Sequence, residues 1–367
     1  MAAAVSWVLG VDSGGSGLRV ALADAGDPAG PRADAGPGGR EYCAATANSR
    51  EPVRTGGAGI DAAHMLEQLV PMARDLLERA GAGPLSAVVI GAAGMGTLGG
   101  PLRVELPAAL ESALGVRRLG LAADAVTAYA GALGGRPGAV VAAGTGMIAL
   151  GTDLSVWRRA DGWGHLLGDC GSGAWIGRAG LEAALRAHDG RRGGSAVLLE
   201  RMESVLGAAP ELPGIVYPRS DRPAVLAAFA PEVARCADHD PVAADILARA
   251  AGHIAEAAAA VCPPADEVPD GCEVALTGGL LELGEPLLRP LRAELAEQLP
   301  HARQVPADGD PLFGALRLAA ALAAGDLRLP THPTLLHVPD GTRWDHRKIQ
   351  PDKKGQTALH RPLPEQP

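Results

Sequence analysis

The chain has 367 residues, about two domains' worth of sequence, and a formal net charge of −9 at pH 7, which argues against a strongly basic nucleic-acid-binding surface. Hydrophobic residues make up 47%, yet the longest apolar stretches fall far short of the roughly 20 residues that a membrane-spanning helix needs. Because no basic residue precedes Arg19, the start of the chain does not resemble a signal peptide, and we expect a cytoplasmic protein with neither nucleic acid nor membrane among its partners.

The first third of the chain carries predicted strands that share short apolar runs bounded by small or polar residues. These runs are 7–11, 18–23, near 41–46, 87–93 and 119–123. The first two flank the turn Asp12-Ser13-Gly14-Gly15-Ser16-Gly17 as a hairpin, and a long Gly/Pro-rich connection over 24–40 follows it. Apolar residues at helical spacing predict a helix over 61–80. Asp124 follows the last run, where a helix through Leu133 is expected to begin.

Residues 139–151 repeat the opening pattern, with a strand over 139–143, the turn Gly144-Thr145-Gly146 and a strand over 147–151. This repetition predicts a duplicated α/β unit rather than a short-period solenoid. The other elements expected in this half are helices at 173–187, 242–261, 286–298 and 311–324 and a buried strand at 273–277. From Leu329 onward the chain is rich in Pro, His and charge without periodicity, and we expect a tail there.

Three glycine-rich turns follow predicted strands in chain order. They are the turn that begins at Asp12, Gly144-Thr145-Gly146, and Thr277-Gly278-Gly279. Any one of them is explained by a reversal of the chain, but nucleotide sites gather at the carboxyl ends of strands, where glycine lets phosphates approach backbone N–H groups. The first turn lacks the GK[ST] ending of a P-loop and leads into a strand, unlike the dinucleotide fingerprint. The set predicts a nucleotide site, with Asp12 placed to reach a magnesium ion.

The segment 162–177, with the sequence GWGHLLGDCGSGAWIG, adds a pattern that is specific to one family. With the opening hairpin, the Asp124 region and the later glycine turns, it resembles the BadF/BadG/BcrA/BcrD-type ATPases and N-acetylglucosamine kinases over most of 5–325. This family belongs to the superfamily of sugar kinases, actin and heat-shock chaperones. The resemblance implies an α/β fold of two duplicated, ribonuclease H-like (actin-like) lobes with a nucleotide cleft between them. We expect lobes over 1–123 and 124–328, the second with sugar and adenosine contacts, and a tail over 329–367.

The resemblance further implies an ATP- and Mg²⁺-dependent kinase whose site residues fall into separate groups. The metal is expected at Asp12, and the β- and γ-phosphates are expected at Gly14, Gly15 and Ser16. The second phosphate loop is expected at Gly144, Thr145 and Gly146, and adenosine at Gly278 and Gly279. The sugar is expected among Asn48, Gly162, Trp163 and Asp169, since amide and carboxylate groups suit sugar hydroxyls.

Asp124 is the candidate general base, because a carboxylate at the end of a strand is held rigidly and points into a cleft. On the sequence alone, an N-cap for the following helix is the better explanation, and the family resemblance favours the base. Trp163 stands between two glycines and either packs in the core or shapes the substrate pocket. The expected reaction is direct in-line phosphoryl transfer to an aminosugar, with the 6-hydroxyl of N-acetylglucosamine as the first choice.

Some positions depart from the family pattern. Ser16 stands where the family has Thr, Met147 where it has Ser or a similar polar residue, Asp161 where it has a second Gly, and Cys170 where it has Glu. The last three border the expected sugar pocket, so N-acetylmuramic acid, glucosamine and glucose stay open as alternative substrates. The five cysteines include no CxxC pair, which predicts reduced thiols, and a reactive thiol is not expected at Cys170.

The resemblance leaves rival functions open. One is a BadF-type ATPase that activates a dehydratase through an iron–sulfur cluster, although the cysteines here lack a convincing cluster spacing. Others are an ATP-driven conformational switch of the actin or chaperone kind, and a degenerate kinase that senses a sugar without turnover. The expected partners are a small-molecule sugar and a second copy of the chain in a homodimer.

Overall fold

The computed structural model describes residues 6–25, 44–268 and 271–339. Most of the connection predicted over 24–40, the start of the strand predicted near 41–46 and the residues after 339 lie outside this part of the chain. Within the described ranges, no helix combines the length and the apolar character that crossing a membrane requires.

The described residues form two large β-sheets, a two-stranded sheet and the helices that cover them. The strands are β1 (Trp7–Gly14), β2 (Gly17–Asp24), β3 (Ala45–Ser49), β4 (Thr55–Gly56), β5 (Gly59–Ile60), β6 (Leu85–Ala92), β7 (Leu119–Ala123), β8 (Gly138–Ala143), β9 (Met147–Thr152), β10 (Trp157–Asp161), β11 (Cys272–Thr277), β12 (Ala302–Val305) and β13 (Leu336–His337). The α-helices are α1 (Ala62–Arg79), α2 (Met95–Leu98), α3 (Gly100–Leu114), α4 (Asp124–Leu133), α5 (Gly173–His188), α6 (Ala196–Leu206), α7 (Leu212–Val216), α8 (Arg222–Ala227), α9 (Ala230–Cys236), α10 (Pro241–Val261), α11 (Glu285–Gln298) and α12 (Pro311–Ala324). Short 3₁₀ helices lie at Ala209–Glu211 and Gly279–Leu283.

The two large sheets repeat one strand order. The first sheet runs β13-β7-β6-β1-β2-β3 and the second runs β10-β9-β8-β11-β12. In each sheet an antiparallel run of three strands, β1-β2-β3 or β8-β9-β10, is followed by two strands that pair in parallel. Apart from β13, the order within each half is therefore the same. The duplicated α/β fold expected from the sequence is confirmed.

The elements with the clearest sequence patterns lie where they were predicted. The helix expected over 61–80 is α1, the strand over 119–123 is β7, and the helix over 311–324 is α12. The third strand lies a few residues later than predicted, because its pairing with β2 extends to Ser49. An alternating series of half-buried residues at an edge gives a weaker signal than a buried apolar run, so its bounds could not be read closely.

The first hydrophobic core takes residues from both ends of the chain. It surrounds β1, β6 and β7 and includes side chains of α4 and α12. Glycines allow the close approach of α12: a Cβ at Gly10 would lie 2.8 Å from the amide nitrogen of Leu316, and one at Gly314 would lie 1.9 Å from the carbonyl oxygen of Thr127. The second core lies between the second sheet and α5, α9, α10 and α11. The chain division expected between 123 and 124 is thus not a division of the hydrophobic cores.

Within the described residues, the chain passes between the two lobes at two adjacent connections, 134–137 and 306–310. Arg136 of the first connection donates a hydrogen bond from Nη1 to Oδ2 of Asp308 in the second, at 3.1 Å. The amide of Asp308 in turn donates to the carbonyl oxygen of Ala132, at 3.0 Å. These bonds hold the two connections side by side.

The tail expected from Leu329 is wrong for residues 329–339. Leu329 and Leu336 are 4% and 1% exposed, and β13 pairs with β7 in the first sheet. Trp157 donates from Nε1 to the carbonyl oxygen of Pro330, at 2.7 Å. The leucines of this segment follow neither a helical nor a strand period, so its packing gave no signal in the sequence.

Candidate active site

A cavity of about 430 Å³ lies between the two sheets, where β7, β8 and β11 end. Six of the predicted site residues line it: Asp124, Gly144, Gly146, Gly162, Asp169 and Gly278. The other eight do not: Asp12, Gly14, Gly15, Ser16, Asn48, Thr145, Trp163 and Gly279. A second groove, of about 490 Å³, lies between α5 and α10 on exposed helix faces. We place the site in the first cavity, because ligands of open α/β sheets bind at the carboxyl ends of strands.

A row of residues crosses the first sheet toward this cavity. In register, Asn48 lies opposite Arg19, and Arg19 lies opposite Asp12. Asp12 is next to Gly91 of β6, which is next to Ala122 of β7. Residues directly opposite each other in antiparallel strands point to the same face of the sheet, so Asn48, Arg19 and Asp12 share one face. Their row leads to the strand end that precedes Asp124.

Arg19 joins Asp12 to the beginning of α12. Its Nε and Nη2 donate to Oδ2 of Asp12 at 3.0 and 2.6 Å, and its Nη1 donates to Oδ2 of Asp310 at 2.6 Å. Asp310 caps α12 by accepting a bond from the amide of Phe313, at 2.9 Å. This role of Arg19 was not predicted from the sequence. The available signal was a lone basic residue near the start of a mostly apolar strand, directly after a glycine-rich turn.

Asp124 is the first residue of α4 and lies partly buried in the cavity wall. Its Oδ1 accepts a bond from the amide of Ala125, at 2.9 Å. The cap position of α4 is Ala123, so the N-cap explanation of Asp124 is wrong. Burial raises the pKa of the Asp124 carboxyl, and the negative charge of Asp12 raises it further, while the Ala125 amide and Arg159 oppose the rise. A carboxylate with a raised pKa accepts a proton more readily than an ordinary aspartate.

The second glycine turn is fixed against the start of α5. The amide of Gly173 donates to the carbonyl oxygen of Gly144 at 2.8 Å, and the amide of Ala174 donates to that of Thr145 at 3.0 Å. The third turn packs against the same strand end, because a Cβ at Gly278 would lie 2.1 Å from the carbonyl oxygen of Ala143. Gly278 also has a φ of 105°, a conformation that favours glycine.

Several glycines of the predicted nucleotide site leave open space in front of their backbone. A Cβ built on Gly14, Gly15, Gly144 or Gly279 would have no atom within 4 Å. Such bare backbone suits phosphate groups, which need close approach to N–H donors. The carboxylate of Asp12 offers the hard oxygen donors that Mg²⁺ prefers, and its charge acts on Asp124. In the described residues no three His, Cys, Asp or Glu side chains form a metal cluster, and a Mg²⁺ site there would need phosphate oxygens as well.

Asp169 connects the segment 161–170, called the sugar loop below, to the second glycine turn. Its Oδ1 accepts a bond from the amide of Gly164 at 3.0 Å, and its Oδ2 would lie 2.7 Å from a Cβ on Gly146. The carboxylate is 8% exposed. Burial raises the pKa of Asp169, and the charge of Asp161 adds to the rise.

Trp163 is neither packed in the core nor part of the cavity wall. Its side chain is 67% exposed, and the guanidinium of Arg159 lies 4.6 Å from the centre of its ring. Arg159 itself lines the cavity and donates from Nη2 to the carbonyl oxygen of Gly162, at 2.7 Å. Arg159 was not predicted as a site residue, because no strand was expected at 157–161.

The residues that depart from the family pattern lie in different surroundings in the structure. Met147 is buried and lines the cavity. Cys170 is half-buried, and burial with the charge of Asp161 raises the pKa of its thiol. A thiol that stays protonated is a poor nucleophile, in line with the expectation from the sequence. The carboxylate of Asp161 binds backbone within the sugar loop.

Solved structures that are similar to this chain show which class of fold it has. A protein from Chromobacterium violaceum, described as a candidate N-acetylglucosamine kinase, is 28% identical; the match covers 87% of this chain and 99% of that chain, with a TM-score of 0.61. A ROK family glucokinase from Streptomyces griseus, in complex with glucose and AMPPNP, is 20% identical, with 87% and 100% covered and a TM-score of 0.50. The fold is that of the sugar kinases and actin-like ATPases.

Within this class, the chain belongs to the BadF/BadG/BcrA/BcrD ATPase family, whose model matches residues 9–319. An N-acetylmuramic acid/N-acetylglucosamine kinase from Clostridium acetobutylicum is 42% identical over 76 residues, which are 20% of this chain. The match spans 24% of the length of that curated relative. The family resemblance read from the sequence is confirmed.

Proposed function

We propose that the protein is an ATP-dependent kinase that phosphorylates an aminosugar, with the 6-hydroxyl of N-acetylglucosamine as the first candidate. The observation that carries the proposal is the pair Asp124 and Asp169, a half-buried and a buried carboxylate in one cavity with the glycine turns at 144–146 and 278. The family and the kinases similar to this chain support the same reaction.

ATP and Mg²⁺ would be held by the glycine turns and by Asp12. Phosphoryl transfer needs positioning and neutralisation of charge, and Mg²⁺ supplies the neutralisation when bound. The open backbone at Gly14, Gly15 and Gly144 leaves room for phosphates, and Gly279 leaves room below adenosine. Arg19 binds Oδ2 of Asp12, so Oδ1 is the oxygen that we assign to the metal.

Asp124 would accept the proton of the attacking hydroxyl. The Ala125 amide occupies Oδ1 and fixes the carboxylate, so that Oδ2 can face the substrate. Burial raises the pKa of Asp124, which makes it a stronger base than an exposed aspartate. Closing the lobes would exclude water, which otherwise competes with the sugar as acceptor.

The sugar would lie between Asp124 and the sugar loop. Asp169 and Gly162 line the cavity there, and Asn48 lies at the far end of the row that contains Asp12. The exposed ring of Trp163, stacked by Arg159, would cover the sugar from the solvent side. Met147 replaces a polar side chain in the wall, and it is the first position to examine if the preferred sugar is not N-acetylglucosamine.

The test is ADP release with MgATP and each of N-acetylglucosamine, N-acetylmuramic acid, glucosamine and glucose, beside a blank without sugar. Product mass and fragmentation locate the phosphate. Turnover that needs an N-acetylated hexosamine supports the proposal. ADP release that no sugar changes would favour an ATP-driven switch or dehydratase activator, and sugar binding without turnover would favour a sensor.

We further propose a homodimer, on the family resemblance, and a cytoplasmic location. Light scattering of the purified chain distinguishes a mass near 74 kDa, twice the 37.1 kDa of one copy, from that of a monomer. Fractionation of cells that express a tagged chain tests the location.

A further inference from the structure

We propose that Asp161 is a positioning residue, whose carboxylate closes the sugar loop and holds Asp169 against the second glycine turn. The inference deepens the proposed function and rests on it for the identity of the ligand as a sugar. It concerns the one departure from the family pattern whose side chain makes two bonds within the site.

Asp161 ends β10 and begins the loop in an unusual backbone conformation. It pairs with Ile148 at the end of the β9–β10 ladder, and its φ of 58° lies in the left-handed region that side chains other than glycine rarely adopt. Aspartate and asparagine tolerate this region better than most residues, because their short polar side chains can bond nearby backbone. The conformation turns the carboxylate back toward the far end of the loop.

Both carboxylate oxygens of Asp161 accept hydrogen bonds from successive amides at that far end. Oδ1 accepts from the amide of Asp169 at 2.6 Å, and Oδ2 accepts from the amide of Cys170 at 2.8 Å. Two adjacent N–H groups that converge on one anion form a concave site, and bonds to a charged acceptor are stronger than neutral ones. The ten residues from 161 to 170 are thereby closed into a ring.

The other residues of the ring fit this closure. A Cβ at Gly168 would lie 2.4 Å from Oδ1 of Asp161, so a larger residue there would displace the carboxylate. Asp169 has a φ of 53° and binds the Gly164 amide across the ring. Two hydrogen bonds therefore link three residues of the loop: the Asp169 amide binds Asp161, and the Gly164 amide binds the Asp169 carboxylate. The other oxygen of that carboxylate lies near Gly146.

Closing the loop also places the negative charge of Asp161 near the carboxylate of Asp169. Arg159 donates to the carbonyl oxygens of Asp161 and Gly162 rather than to either carboxylate. The groups that act on Asp169 are Asp161, which raises its pKa, and His165, Arg159 and the Gly164 amide, which lower it; burial remains the largest cause of the rise. Removing the charge at 161 therefore changes the titration of a residue in the cavity, whereas a purely mechanical anchor would not.

The test uses Asp161→Asn and Asp161→Gly, with Asp153→Asn as matched control. Asparagine keeps the size but turns an NH₂ group toward one of the two amides, and glycine adopts the positive φ without strain. Asp153 accepts bonds from the amides of Ser155 and Val156 at the opposite end of β10, so its variant removes a similar carboxylate away from the cavity.

We expect both Asp161 variants to raise the KM for the sugar about tenfold and to leave the KM for ATP within about twofold. The acid limb of kcat/KM for the sugar moves to lower pH, because Asp169 loses a neighbouring negative charge. Hydrogen exchange of the Asp169 and Cys170 amides becomes faster. Asp153→Asn changes none of these.

An unchanged sugar KM together with an unchanged acid limb in both Asp161 variants would overturn the inference while the kinase stands. Absence of turnover by the unaltered protein with every sugar would overturn the proposed function and, with it, the role toward a sugar. Amide exchange needs no activity, so it still decides in that case whether Asp161 closes the loop; equal exchange in all variants would reject the closure itself.

Discussion

Arg19 donates two hydrogen bonds, from Nε and Nη2, to the same carboxylate oxygen of Asp12. The guanidinium thus occupies Oδ2 of Asp12 and competes with a metal ion for the negative charge of this carboxylate. Its third nitrogen, Nη1, donates to Asp310, the N-cap of α12. One side chain thus connects the first glycine turn to a helix near the other end of the chain.

Replacing Arg19 with Met should alter the response to magnesium. We expect the Mg²⁺ concentration for half-maximal turnover to fall about fivefold, since a partly exposed ion pair contributes roughly 1 kcal/mol. A titration of turnover with Mg²⁺ at fixed ATP measures it. Arg292→Met, which removes an exposed ion pair with Glu285 on α11, serves as control. A magnesium response equal to that of the control would contradict the placement of the metal at Asp12.

Asp124→Asn should remove most turnover and keep ATP binding. Asparagine retains an oxygen for the Ala125 amide but cannot take a proton, and loss of a general base typically costs about 10²- to 10⁴-fold in rate. Steady-state turnover and calorimetric titration with ATP separate the two effects. Asp245→Asn on the exposed face of α10 is the control. Near-normal turnover of Asp124→Asn would exclude the base.

The pH dependence of stability gives an independent check on Asp124. Because its pKa is raised in the folded protein, the folded state binds the proton more tightly than the unfolded state does. The carboxylate therefore lowers the free energy of unfolding at pH above the raised pKa, and this cost disappears as the pH falls through it. We expect Asp124→Asn to have a higher Tm than the unaltered protein at neutral pH, with the difference shrinking in acid. An equal difference at every pH would mean that the charge is not the cause.

The glycines at 278 and 279 provide a matched pair of substitutions. A Cβ at Gly278 would meet the Ala143 carbonyl oxygen at 2.1 Å with a strained φ, whereas one at Gly279 would meet no atom within 4 Å. Gly278→Ala should lower the free energy of unfolding by roughly 1–3 kcal/mol. Gly279→Ala should leave stability nearly unchanged and raise the KM for ATP. Chemical unfolding and nucleotide titrations distinguish these results, and equal stability losses would contradict the packing of the third turn.

Trp163→Ala should affect the substrate more than the fold. The ring is largely exposed, so the free energy of unfolding should change by no more than about 0.5 kcal/mol, as for other surface sites. We expect a higher KM for the sugar, because the ring would no longer cover the cavity. Tyr217→Ala, at another exposed aromatic, is the control. An unchanged sugar KM would leave Trp163 without a role in the site.

The join between β7 and α4 could be predicted to the residue because two patterns meet there. The buried run 119–123 ends at a carboxylate, and alanine, the best helix former, recurs in the residues that follow it. The glycine turns were found for a similar reason, since their composition is itself the signal. The fold and the position of Asp124 were therefore accessible without coordinates.

Only part of the sugar loop could be predicted from the sequence. Its glycines and Asp169 stand in a recognisable segment, but β10 is a five-residue edge strand with Arg158 and Arg159 at its centre, and it shows neither an apolar run nor alternation. The places of Arg159 and Asp161 in the site depend on that strand. Contacts such as Arg19 with Asp310 join residues that are 291 positions apart, and nothing local in the sequence specifies them.

The bonded pair Arg136 and Asp308 lies where the chain passes between the two large sheets. Because the two connections are held side by side there, we expect the lobes to rotate about them if the cleft opens. Small dihedral changes at 134–137 and 306–310 would then widen the cavity. The helix α12 packs in the first core, so residues 1–123 expressed alone would lack it and expose the apolar face that it covers. These residues are therefore not an excisable domain.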